Sequence, residues 1–197
     1  GVVKAHVATF NRNIKLIIGS EFKIDSHKVI VLVTNRNSYS KLSSLITLAR
    51  RRSKKGSYQI KWTDLKFNND DLLIIWLPCG DFKKDQLIIS QLHDWFEKRL
   101  WIGFHNLLNG TETSHLSYLQ KLSLLWKVNV VACGDVHMHK KDRQPLQDVL
   151  TAIKQKCSIM ELGKSRYPNS ERYLRKIEYL KSIYPEELMR ETINISN

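Results

Sequence analysis

The chain is poor in the residues that staple, break or tether a fold. Eight glycines and four prolines in 197 residues form no linker, and no repeat or low-complexity run divides the sequence, so one main core is expected. The three cysteines, Cys79, Cys133 and Cys157, are odd in number and widely spaced, which argues against a disulfide framework and for a reducing compartment. No CxxC pair is present. No apolar stretch approaches the roughly 20 residues of a membrane helix, and no basic-then-apolar leader follows Gly1. A soluble, cytoplasmic protein without membrane partners is therefore expected, and the lack of an initiating Met suggests that something precedes Gly1. A P-loop, a GxGxxG turn, a GxSxG elbow and the known RNA- or DNA-recognition motifs are also missing. Acids are scarce: 19 against 32 bases give a net charge of +13. Such a surface suits an anionic partner.

What is present is an alternation of short apolar runs with helix-period segments, which predicts an α/β fold. Strands are expected at Lys15–Ile18, Val29–Val33, Leu72–Leu77, Leu100–Phe104 and Asn129–Ala132. Their continuous apolar character suits strands buried on both faces, as in a parallel sheet. Helices follow from Leu42, Leu45, Ile46 and Ala49; from Ile88, Leu92, Trp95 and Phe96; from Leu116, Leu119, Leu122 and Trp126; and from Leu146, Val149, Leu150 and Ile153. Between Ile18–Ile24 and the next strand no helix intervenes, and Asp25-Ser26-His27 predicts a hairpin. Pro145 suits a first helical turn, and Pro185 before Glu186 and Glu187 opens a last helix reaching about Ile195. Periodicity leaves an open doubly wound sheet and a closed barrel both available. Either places its site at the C-terminal strand ends.

Past the expected strands stand Gly19-Ser20-Glu21-Phe22, His105-Asn106 and Gly134-Asp135-Val136-His137-Met138-His139. Mixed imidazole and carboxylate donors are what Zn²⁺ or Mn²⁺ needs when one position stays open for water in phosphoester chemistry. Asp135 and His137, two apart, would point the same way in an extended segment. Each is equally at home as a solvated loop residue. Cys133 reads as a small buried filler, and His6, His27, His93 and His115 as surface or core histidines.

The basic excess is concentrated. From Arg36 to Lys66 nine bases face the lone Asp64, and Arg50-Arg51-Arg52-Ser53-Lys54-Lys55 closes the first long helix. Cations there oppose the helix dipole and can bind phosphates, and the interleaved Tyr58 and Trp62 could stack on bases. A solvated helix end gives the same pattern.

These segments resemble the PHP (polymerase and histidinol phosphatase) domain at the N-terminus of bacterial C-family DNA polymerases, the polymerase III alpha group, in a form closest to its error-prone branch. The resemblance runs nearly end to end. It rests on Leu16-Ile17-Ile18-Gly19-Ser20-Glu21-Phe22, on Asn35 to Tyr58, and above all on Gly134 to His139 with Leu146 to Ile153. It implies a partial PHP-type (β/α) barrel over 1–160 that lacks its first strands, with the family's opening His-x-His lying before Gly1. Residues 161–197, beginning near Tyr167-Pro168-Asn169, would lead toward a polymerase core and pack on a missing neighbour. The resemblance makes Glu21, Asp135 and His137, with His105, metal-site positions for Zn or Mn. The basic run itself, not the resemblance, gives Arg50, Arg51, Arg52, Lys54 and Lys55 as candidate nucleic-acid contacts. The parent enzyme would use Mg and DNA, with other replication or mutagenesis proteins as partners, while the fragment alone would not polymerise. A stand-alone metal phosphoesterase and a non-catalytic DNA-binding scaffold are the rival expectations.

Overall fold

The computed structural model describes residues 1–67 and 71–197. Five strands, β1 (Ile18–Ile24), β2 (His27–Val33), β3 (Leu72–Leu77), β4 (Leu100–His105) and β5 (Val130–Cys133), form one open sheet in chain order. The expected hairpin is present: Ile24 pairs with His27 across a turn in which Asp25 takes the left-handed conformation at φ 53°. That short turn leaves no room for a crossover, so β1 and β2 are antiparallel. Since β2 and β3 are also antiparallel, only the β3-β4-β5 half of the sheet is parallel. The apolar runs alone had pointed to a parallel sheet.

The first strand lies later than expected. Ile18, opposite Val33, is the last residue with a partner, because β2 ends there. Lys15, Leu16 and Ile17 therefore precede the sheet, and Gly19-Ser20-Glu21-Phe22 lies inside β1 rather than past its end.

Eight helices are described: α1 (Val2–Thr9), α2 (Arg36–Arg51), α3 (Trp62–Phe67), α4 (Phe82–Phe96), α5 (Glu112–Trp126), α6 (Gln144–Gln155), α7 (Ile177–Ile183) and α8 (Glu186–Ser196). Asn35 caps α2 by accepting from the Ser38 N–H at 2.9 Å, while the Ser38 hydroxyl accepts from the Asn35 N–H at 3.0 Å. This reciprocal box satisfies two of the orphan donors at the helix start. The inner faces of α2 (Leu42, Leu45, Ala49), α4 (Ile89, Leu92, Phe96) and α5 (Leu119, Leu122) meet Ile74, Trp76, Ile102 and Phe104 of the sheet in one core. Gly103 keeps that region closed, since a Cβ there would stand 2.6 Å from Leu77 Cδ2 and 3.2 Å from Cys133 Sγ.

The tail is tied to this sheet: α8 packs against β5, Tyr184 and Leu188 enter the core, and the Trp101 indole N–H donates to Glu191 at 2.9 Å. The apolar stripe of α6, by contrast, faces away from the body, which instead receives Asp148 and Ala152. No helix is long and apolar enough to cross a membrane among the described residues.

Candidate functional site

The antiparallel register brings both halves of the sheet to one edge. Lys28, at the start of β2, lies opposite Leu77, at the end of β3. The hairpin turn thus joins the C-terminal ends of the parallel strands. Between them lies a cleft of about 430 Å³, lined among others by Lys23, Lys28, Cys79, His105, Asp135 and Arg172.

Asp135 organises one side of this cleft. It follows β5 in the left-handed conformation, φ 44°. The Arg172 Nε–H donates to its Oδ2 at 2.7 Å. His137 Nε2 lies 3.3 Å and Lys28 Nζ 3.9 Å from its Oδ1. Burial alone would raise this carboxyl's pKa. The hydrogen bond from Arg172 and the charges of His105, Lys28 and Arg172 instead hold it below the usual carboxylate range. The guanidinium is itself seated on the Tyr167 ring, 4.1 Å from its centroid, a desolvated cation–π contact.

His105 ends β4 opposite Cys133. Burial, reinforced by Lys28 and Arg172 and opposed by Asp135, pushes its pKa down to about 4. At neutral pH it is an uncharged imidazole. Burial also pushes the Cys133 thiol up to about 12, so it is a neutral thiol at neutral pH. Glu21, half exposed within β1, meets the others only through Lys28, whose Nζ is 3.2 Å from its carboxylate. His139 is exposed, beyond the buried Met138.

As a metal-binding set these residues fit poorly. The Asp135 oxygens already face a guanidinium and an ammonium, so a divalent cation would have to displace them against like charge. The one group of three donors found within 4.8 Å of one another among the described residues is a different one, namely His27, Cys79 and Asp85.

The His27 group escaped the sequence reading. Asp85, on the first turns of α4, is fully buried. Its Oδ1 lies 2.9 Å from His27 Nε2 and accepts from the Cys79 N–H at 3.0 Å; its Oδ2 accepts from the Gly80 N–H at 2.9 Å and the Tyr118 hydroxyl at 2.5 Å. Imidazole, thiol and carboxylate are donors that zinc accepts, so this is a candidate metal centre by composition. The carboxylate, however, has both oxygens saturated. It fixes the Pro78-Cys79-Gly80 loop and the ring of His27, which stacks on Trp76. Only the position of Cys79 and Gly80 just past a strand end signalled this in the sequence.

The basic run divides into engaged and free residues. Arg52 makes a two-pronged ion pair with Asp64, at 2.5 and 3.1 Å. Arg50 donates to the Ser57 carbonyl at 3.1 Å and covers the Tyr58 ring. Tyr58 also accepts from the Lys23 N–H, and Trp62 donates to Asp25 while packing on His27. These two rings are therefore held in packing rather than offered as stacking platforms. Arg51, Lys54 and Lys55 are exposed or half-exposed to solvent. Along the same helix Ser40, Ser43, Ser44 and Thr47 line a groove of about 500 Å³ that ends at Arg51 and Arg52.

Comparison with known proteins gives one consistent answer. No family model matches the chain. Its sequence is 40% identical over 193 residues to the error-prone DNA polymerase of Saccharophagus degradans, 42% over 198 residues to that of Methylococcus capsulatus and 37% over 197 residues to that of Pseudomonas aeruginosa. These matches cover 98–100% of this chain. The chain spans about a fifth of the length of these relatives, 19% in each case.

Proposed function

We propose that these residues are the PHP-type portion of an error-prone DNA polymerase, acting in replication and damage-induced synthesis in the cytoplasm. The observation that carries this reading is the identity of about two residues in five, sustained over the whole chain, to proteins of that name. In the parent, nucleotidyl transfer with Mg²⁺ would belong to sequence outside this chain. The sheet and α8 would form the scaffold, an incomplete (β/α) barrel whose mouth is the cleft at Asp135. The resemblance implies part of a Zn²⁺ or Mn²⁺ site at Glu21, Asp135 and His137, with His105, and the Arg172 and Lys28 contacts argue that here protein cations have taken that place. Arg51, Lys54 and Lys55, with the hydroxyl-lined groove of α2, would meet the DNA backbone.

Reading the gene on both sides of these codons tests this. An in-frame polymerase core carrying its acidic residues is expected downstream. A stop without such a core, in an intact and expressed gene, would overturn the reading.

A further inference from the structure

Helix α6 is built inside out. Leu146, Val149, Leu150 and Ile153 recur at the three- and four-residue spacing of a single helical stripe, and they are 50%, 37%, 53% and 67% exposed. The opposite face is polar and turned to the protein. Asp148 is 3% exposed and accepts from Arg166 Nε at 2.7 Å and from the Gln144 amide at 3.1 Å, while that amide also reaches the Tyr167 carbonyl. The orientation is thus held by an ion pair whose carboxylate is buried and whose guanidinium is half exposed. Rotating the leucines inward would break the contacts of Asp148 with Arg166 and Gln144.

We propose that this stripe is a docking surface for an amphipathic helix with acidic flanks, carried by a partner protein. The charges around the stripe choose the occupant. Within Gln144–Gln155 the sole acid is the buried Asp148, whereas Arg143, Lys154 and Lys156 stand exposed beside the stripe. Asp142, in the preceding turn, is the nearest exposed acid. A second copy of this chain would bring like-charged rims together on a molecule of net charge +13, a repulsive arrangement. A membrane surface is disfavoured because the stripe is two turns long and has no aromatic residue to sit at the headgroup level. A helix laid in register along the stripe buries it by the ordinary helix-in-groove mode, with carboxylates meeting Arg143, Lys154 and Lys156.

The test uses the full product of the reading frame and two synthetic helical peptides with the same leucine stripe, one flanked by Glu and one by Lys. The Glu-flanked peptide is expected to bind at least about tenfold more tightly at low salt. Leu150→Asp, at an exposed position, should abolish binding with the circular dichroism spectrum unchanged. Lys154→Glu should weaken the Glu-flanked peptide and strengthen the other. Equal binding of the two peptides, or none, overturns the proposal, as does Leu150-dependent sedimentation with phosphatidylserine vesicles or Leu150-dependent self-association. Polymerase activity of the product plays no part in the readout, so failure here is separate from failure of the proposed function.

Discussion

Arg172 donates from Nε to Asp135 Oδ2 at 2.7 Å while its guanidinium rests 4.1 Å above Tyr167. The pair joins the loop after β5 to the segment before α7, since the His137 and Met138 N–H groups both donate to the Arg172 carbonyl. A protein cation, locked by an aromatic ring and by main-chain bonds, neutralises the carboxylate at the cleft mouth.

Arg172→Gln should therefore destabilise the fold by about 3 kcal/mol at neutral pH, because it leaves Asp135 sequestered without its partner. The folded pKa of Asp135 lies below its ordinary value of 3.8. Its stabilising contribution is complete above that ordinary value and is lost as pH falls through the folded pKa. Urea titrations between neutral pH and strong acid should show this loss in the parent chain and a smaller one in the variant. Equal stabilities at neutral pH would show that the pair contributes nothing.

His105 titrates in a separate window. Its folded pKa of about 4 lies below the ordinary 6.5, so between these values the unfolded chain binds a proton that the folded chain refuses. Stability is full above the upper value and falls as pH drops toward the lower one, by about 3 kcal/mol in all. A His105→Gln variant should flatten that slope. An imidazole resonance of His105 that titrates near its ordinary pKa would contradict the assignment.

Asp85→Asn keeps the volume but replaces one acceptor oxygen with a donor opposite the Gly80 and Tyr118 groups or the His27 and Cys79 groups. A loss of about 3 kcal/mol is expected, or roughly 6–12 °C in Tm for a chain of this length. If the cluster is a hydrogen-bonded hub, adding Zn²⁺ or EDTA to the parent chain leaves Tm unchanged. A Zn²⁺-dependent rise that vanishes in Cys79→Ser would make it a metal centre instead.

The arginines of the basic run should separate by assay. Arg51→Glu, Lys54→Glu and Lys55→Glu are expected to weaken duplex DNA binding uniformly across sequences, each lowering the log–log salt slope by about 0.9. Arg52→Ala should instead cost about 1 kcal/mol of stability through the loss of Asp64's partner, with the slope nearly unchanged. Fluorescence anisotropy at several salt concentrations distinguishes the two classes.

Local chemistry made part of this fold legible. Asp25-Ser26-His27 announced the hairpin, Pro185 with Glu186 and Glu187 announced α8, and the leucine spacings announced α4, α5 and α6. What periodicity cannot carry is direction. The stripe of α6 reads like any core-facing helix until the Asp148–Arg166 pair, whose partners are 18 residues apart, turns it outward. The cleft was half legible: His105 and Asp135 do stand at strand ends, yet Glu21 lies inside its strand because pairing begins only at Ile18. The His27–Asp85 contact spans 58 residues and depends on the β2–β3 register, which no local pattern encodes. The same holds for Lys28 and Arg172, ordinary bases in sequence that become the charges of the cleft only once three segments meet.

Primer extension tests the central claim most directly. The full product of the reading frame, with Mg²⁺ and a primed template carrying an abasic site, is expected to add nucleotides opposite and beyond the lesion, while residues 1–197 alone add none. A folded full-length product that extends neither damaged nor undamaged template would contradict the proposal that this chain is part of an error-prone polymerase.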